Sequence, residues 1–126
     1  MEVKIDTKEK FHVITLISAD LPATMTEELN NCLLPFLQAD VKNLVVNLRE
    51  LQLLDTSAAE NLVKIQQKFY EHNSSFVICE LQPQVEEFLE KHGLLEVMNI
   101  TPTESEAADI VQMEEIEREL MNGDEM

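Results

Sequence analysis

The order of apolar segments along this chain predicts an α/β domain built on a mostly parallel sheet. Short runs of β-branched and other apolar residues alternate with longer segments whose apolar residues recur at helical spacing. Strands that alternate with helices imply right-handed crossovers and therefore parallel pairing, while two strands joined by a short link at the start add an antiparallel hairpin. The predicted order of elements is ββαβαβαβα.

The predicted strands are short and apolar. The link Lys8-Glu9-Lys10 suits a hairpin between the first two, and the uninterrupted run NLVVNL is typical of a strand that is buried on both faces. In chain order the predicted strands are Val3 to Thr7, Phe11 to Ile17, Asn43 to Leu48, Phe76 to Cys79 and Val97 to Ile100.

The four predicted helices begin at residues that suit a helix N-terminus. These starting residues are Thr24 with Glu27, Asp55, Pro83, and Thr103 with Glu106. Pro35 should end or kink the first helix, and Gly93 should end the third. The apolar stripe predicted for the last helix consists of Ala107, Ile110, Met113, Ile116 and Leu120.

Length and charge narrow the class of protein. A chain of 126 residues can bury one core without disulfides or metals. Its net charge of -16 disfavours nucleic acid and anionic lipid as partners. No apolar run approaches the roughly 20 residues that cross a bilayer, and the N-terminus lacks a secretory pattern, so we expect a cytoplasmic location without membrane insertion.

The negative charge is concentrated near the C-terminus. Between residues 104 and 126, nine acidic residues stand against one base, Arg118, which gives a net charge of -8 and half of the total -16. A solvated helix face with a frayed end and a docking surface for a basic partner both remain open. We predict a folded domain over residues 1–117 and a disordered acidic tail over residues 118–126.

The sequence contains no catalytic or cofactor signature. Cys32 and Cys79 lie in apolar stretches without a Cys or His at ligand spacing, so we predict buried, reduced thiols and no metal site. Only two glycines are present, and the motifs GxGxxG, GxxxxGK[ST] and GxSxG are absent. We therefore expect no cofactor and no enzymatic activity.

Hydroxyl side chains stand at the predicted start of the second helix, in the segment Leu54-Asp55-Thr56-Ser57-Ala58-Ala59. The first amides of a helix lack partners and its dipole favours negative charge, so a phosphate on Thr56 or Ser57 would fit with little refolding. The same pattern is also typical of plain helix capping.

This segment resembles the signature of the STAS family, which includes cytoplasmic domains of sulfate transporters and bacterial anti-sigma factor antagonists. The strand Leu44 to Leu48 and the turn Leu53 to Ala59 resemble the family's strand and its Asp-Ser-Ser/Thr-Gly-Leu motif. Leu81 to Leu95 resembles the family's penultimate helix and closing Gly-Leu. The chain departs from the family pattern at Asn47, Thr56, Ala58-Ala59 and Glu60.

The resemblance implies an anti-sigma factor antagonist that works by binding protein. In such antagonists the serine after the motif acid is phosphorylated by an anti-sigma factor with serine-kinase activity, and phosphorylation abolishes binding. The corresponding acid and acceptor are Asp55 and Thr56, and we expect Thr56 rather than Ser57 to be modified. The implied partner-binding residues are Asp55, Thr56, Ser57, Ala58, Ala59 and Glu60.

The family also leaves another class of function open. The chain would then be a non-switching STAS subunit or a scaffold of a transport or signalling complex, and its partner a transport ATPase, a carrier or other STAS domains. A second copy of the chain, in a homodimer, is a further candidate partner.

Overall fold

The computed structural model describes the backbone of residues 1–124 and the side chains of residues 1–121. Its elements are β1 (Val3–Thr7), β2 (His12–Leu16), β3 (Asp20–Leu21), α1 (Thr26–Leu33), β4 (Leu44–Asn47), β5 (Leu53–Leu54), α2 (Thr56–Glu71), β6 (Phe76–Cys79), α3 (Pro83–Lys91), β7 (Ile100–Thr101) and α4 (Glu104–Asp124). Three short 3-10 turns cover Ala23–Met25, Leu34–Gln38 and Leu95–Val97.

The main sheet is mixed, with spatial order β1-β2-β4-β6-β7. β1 pairs with β2 antiparallel, and every other pair in this sheet is parallel. The prediction of an α/β fold with an opening hairpin and a mostly parallel sheet is confirmed. β3 and β5 form a separate parallel pair that the sequence pattern did not predict, because each contains only two residues.

Two predicted boundaries were wrong for local reasons. Thr24 lies in a 3-10 turn, so α1 begins at Thr26 and has no side-chain cap. Val97 also lies in a 3-10 turn, where its amide donates to the Leu94 carbonyl. The last strand therefore begins only at Ile100, which pairs with Ile78. The other helix signals work as predicted: α1 ends before Pro35, and Gly93 ends α3 in a left-handed conformation with φ +70°.

Both faces of the sheet are covered. All four residues of β4 are buried, and alternate residues face opposite sides, with Leu44 and Val46 on one side and Val45 on the other. α1, α2 and α3 pack on the first side and contribute to the larger core. α4 covers the second side, where Ala107 and Val111 meet Val13, Val45 and Val77.

A polar network holds the middle of α4 against the sheet. The buried Asn43 side chain donates to the Lys10 carbonyl and to Glu115, both at 2.9 Å, and accepts from the Ser75 amide at 2.7 Å. Arg118 donates to Asn43 at 3.2 Å and to the Ser75 hydroxyl at 2.9 Å. The network therefore joins the starts of β4 and β6 to the helix.

Glu114 forms a second set of contacts beside this network. It accepts hydrogen bonds from the Ser75 hydroxyl at 2.6 Å and from the Tyr70 hydroxyl at 2.7 Å. Because these polar residues face the sheet, the predicted apolar stripe of the last helix was wrong beyond its first members. Met113, Ile116 and Leu120 face outward and are more than half exposed, at 59%, 56% and 65%.

The C-terminal helix extends beyond the predicted domain. α4 passes the predicted boundary at residue 117 and continues to Asp124, while the disorder expected for residues 118–126 stays a prediction. Arg118, which was assigned to the tail, is anchored by the network around Asn43. The predicted disorder of residues 125 and 126 falls outside the described residues.

Asn43→Ala should destabilise the domain by about 2–3 kcal/mol, because it leaves the buried Ser75 amide and Lys10 carbonyl without their partner. Asn61→Ala is the matched control, since it removes one partly buried hydrogen bond, to Asn30, and should cost about 1 kcal/mol or less. Urea unfolding followed by circular dichroism measures both. Equal losses would show that the Asn43 network does not organise the fold.

Candidate functional site

The start of α2 is fixed by the strand pair that precedes it. β5 pairs with β3, and the Asp55 amide donates to the Leu21 carbonyl at 3.0 Å. Leu21 and Leu54 point into the core, which anchors both strands. The first turn of α2 is therefore attached to the domain by backbone bonds and by buried side chains.

Asp55 caps the helix, as the sequence predicted. Its backbone is extended (φ -82°, ψ 152°), and its Oδ1 accepts from the Ser57 amide and from the Ser57 hydroxyl, both at 3.1 Å. Its carbonyl accepts from the Ala59 amide at 3.0 Å, the first hydrogen bond of the helix. The Ser57 hydroxyl is thus part of the cap, whereas the Thr56 hydroxyl makes no hydrogen bond within residues 1–124.

The six predicted partner-binding residues divide by exposure. Asp55, Ser57 and Glu60 are exposed, and Thr56 is half-buried. Ala58 and Ala59 are fully buried in the larger core and cannot touch a partner, which corrects the predicted contact surface. A charged residue in place of Ala58 would damage the core rather than block an interface.

Leu53 is an exposed apolar residue of the site that is not among the six predicted ones. It is 68% exposed and lies opposite the exposed Asp20 in the register of β3 and β5. The signal was the adjacent pair Leu53-Leu54, because neighbouring strand residues face opposite sides and a strand that is covered on only one side leaves one of them exposed. We call Asp20, Leu53, Asp55, Thr56, Ser57 and Glu60 the α2 surface.

The α2 surface combines one exposed apolar residue, Leu53, with several carboxylates. Asp20, Asp55 and Glu60 are its three carboxylates, and it contains no Lys or Arg. Glu60 lies one helical turn after Thr56, so the two side chains are neighbours on the helix. A partner that binds here needs a hydroxyl-sized recess for Thr56, an apolar contact for Leu53 and donors for the carboxylates.

Asn47 occupies the end of β4, where the family pattern often has an acid. It is fully buried; its amide nitrogen donates to Glu104 at 3.1 Å and its Oδ1 accepts from the Arg49 amide at 2.9 Å. This residue therefore links the central strand to the first turn of α4. It does not reach the α2 surface.

The cysteines are suited to packing rather than to chemistry. Cys79 is fully buried, and burial raises the pKa of its thiol to about 12, with a further contribution from the charge of Glu80. Cys32 is only half-buried, and burial raises the pKa of its thiol as well. Residues 1–124 hold no cluster of His, Cys, Asp or Glu that could bind a metal ion.

A cleft of about 460 Å³ lies beside β7 and the start of α3. Most of its lining residues are apolar, and Glu86 is the only ionisable one. One carboxylate without a base, a nucleophile or an oxyanion donor beside it does not form a catalytic arrangement. None of the helices in residues 1–124 has the length and apolar character needed to cross a membrane.

Comparison with known proteins identifies the family. The model of the STAS domain family matches residues 2–107 of the chain. The chain belongs to the STAS domain family. No curated protein sequence matches it significantly.

Several solved structures share the fold at low sequence identity. An anti-sigma-factor antagonist (STAS) domain protein from Planctomyces limnophilus has a TM-score of 0.74 and 21% identity over 87% of this chain and 97% of its own. The Bacillus cell fate determinant SpoIIAA, in its phosphorylated form, gives 0.62 and 19% over 87% and 99%. The murine anion transporter Slc26a9 gives 0.70 and 14%, over 82% of this chain but 18% of its own.

Asp55→Ala should destabilise the STAS domain by about 1 kcal/mol, because the Ser57 amide loses its capping partner. Asp55→Ser should retain most of the stability, since serine caps helices about as well as aspartate. Thermal unfolding of the two variants distinguishes the contribution of the capping hydrogen bond from the contribution of the negative charge. Equal losses in both would show that the carboxylate contributes by its charge.

Proposed function

We propose that this chain is an anti-sigma factor antagonist that binds an anti-sigma factor with serine-kinase activity through the α2 surface. The observation that supports the proposal is the capped helix start, which carries the Thr56 hydroxyl three residues after the exposed Leu53 and one helical turn before the exposed Glu60. Such a surface suits protein recognition, and the chain would regulate transcription without catalysing a reaction itself. The proposed partner implies a cytoplasmic location in a bacterial cell.

We propose Thr56, rather than Ser57, as the phosphate acceptor. The Ser57 hydroxyl donates to the capping carboxylate of Asp55, so phosphorylation of Ser57 would break that bond and set two anions together. The Thr56 hydroxyl has no such bond within residues 1–124 and can be modified while the cap stays in place. The phosphorylated form of SpoIIAA, a protein with the same fold, supports a phosphate on this scaffold.

A phosphate on Thr56 would switch the interface rather than the fold. It adds about -1.5 to -2 charges, which a helix N-terminus accommodates. The added charge would lie near Asp55 and Glu60, and a partner shaped for a hydroxyl would have to strip water from a dianion. That cost can reach several kcal/mol, which lowers affinity by orders of magnitude.

The second candidate is a non-switching STAS subunit or scaffold of a transport or signalling complex. The matched portion of Slc26a9 supports it, because that anion transporter contains this fold as a small part of a longer chain. Glu60 also favours it, since a carboxylate one turn from Thr56 repels an incoming phosphoryl group. In this candidate the α2 surface contacts a carrier, an ATPase or another STAS domain without modification.

The test compares Thr56→Glu, Thr56→Ala and Ser57→Ala in a binding assay with the anti-sigma factor that co-purifies with the wild-type chain. We expect Thr56→Glu to weaken binding at least about tenfold, a change of roughly 1.4 kcal/mol. Thr56→Ala should bind but take up no phosphate, because the acceptor is gone. Ser57→Ala should bind and still be phosphorylated.

Mass spectrometry of the peptide that carries residues 55–64 locates the phosphate in the same samples. Full binding by Thr56→Glu, together with an unmodified peptide, would exclude the switch and favour the non-switching subunit. Phosphate on Ser57 in the wild type would retain the switch and overturn the choice of Thr56.

A further inference from the structure

The outer face of α4 carries an apolar stripe that the domain leaves uncovered. Met113, Ile116 and Leu120 are spaced three and four residues apart and therefore lie on one side of the helix. Eight large apolar side chains are exposed in residues 1–121, and four of them, counting Met121, fall between residues 113 and 121. This concentration distinguishes the stripe from scattered surface residues.

The stripe cannot be turned inward to pack on the sheet. At about 100° per residue, Ile116 lies half a turn around the helix from Ala107, which is fully buried. Turning the helix to bury Ile116 would break the hydrogen bonds of Glu114 with Tyr70 and of Arg118 with Ser75. The inward face is therefore fixed, and the stripe remains available to something outside the domain.

The charges around the stripe indicate which kind of partner can bind it. Three carboxylates of α4, Glu104, Glu114 and Glu115, face inward and are hydrogen-bonded to side chains of the domain. The outward carboxylates are Glu106, Asp109, Glu117 and Glu119, which are all exposed. Arg118, the one base of the helix, is engaged in the inward network.

We infer that the α4 stripe, Met113, Ile116 and Leu120, docks a cationic amphipathic helix of a partner protein. An apolar helix face packs on the stripe, and Lys or Arg residues beside it pair with the outward carboxylates. A second copy of the chain would place like charges against one another, and an anionic lipid surface would be repelled. This site lies on the opposite side of the sheet from α2 and is independent of the proposed switch.

The probe is a designed helical peptide with leucines at the spacing of the stripe and lysines on both sides, labelled for fluorescence anisotropy. A second peptide of equal composition has its leucines scattered around the helix. We expect the first peptide to bind the full chain at least about tenfold more tightly than the second. Ile116→Asp should remove that preference.

Ile5→Asp is the matched control, because Ile5 is 52% exposed, close to the 56% of Ile116, and lies on β1. Both substitutions add one negative charge, so attraction by charge alone would strengthen peptide binding in both variants. If the peptide docks on the stripe, Ile116→Asp should bind it more weakly than the wild type does, whereas Ile5→Asp should not. Circular dichroism of both variants checks that the fold is retained.

Three results would overturn the inference. One is equal binding of the two peptides, and another is tighter binding by Ile116→Asp, because each would mean that charge alone attracts the peptide. The last is a wild-type dimer in sedimentation equilibrium that Ile116→Asp converts to a monomer, since the stripe would then be an interface between two copies of this chain.

Discussion

The fold depends on the burial of β4 from both sides. A strand without an exposed face needs a pairing strand on each side and a helical layer above and below, and β2, β6, α2 and α4 provide them. Parallel pairing sends the chain from the carboxyl end of β4 back across the sheet through α2. The first turn of α2 therefore lies at the carboxyl end of the sheet, where open α/β folds usually bind their ligands.

The second face of the sheet is secured by hydrogen bonds as much as by apolar packing. The Asn43 amide and the Arg118 guanidinium hold the pKa of Glu115 below its usual range, so this carboxylate stays ionised beside its donors. Its contribution to stability is present above the unfolded pKa of about 4.3 and is lost as the pH falls below that value. The same donors set the rotation of α4, so its apolar stripe faces outward.

Local signals in the sequence predicted the elements well because they act within a few residues. Asp55 caps α2 through Ser57, two residues later, and Gly93 ends α3 through its own positive φ. The rotation of α4 could not be predicted this way, because it depends on contacts such as Asn43 with Glu115, 72 residues apart. An apolar stripe at helical spacing normally indicates the buried side, and here the buried polar network overrides it.

The candidate site shows the same division. The cap that Asp55 provides could be predicted from the sequence because it follows from the start of a helix. The burial of Ala58 and Ala59 and the exposure of Leu53 could not, because they depend on how α2 and the pair of β3 and β5 meet the core. The resemblance to the family located the motif, and the packing decided which of its residues reach the surface.

Hydrogen–deuterium exchange of the chain, alone and bound to the proposed anti-sigma factor partner, tests whether recognition occurs at the start of α2. We expect binding to slow amide exchange in residues 52–57. We expect little change on β1, which lies at an edge of the sheet. Unchanged exchange at residues 52–57, with protection elsewhere, would contradict the claim that this protein recognises its partner through the start of α2.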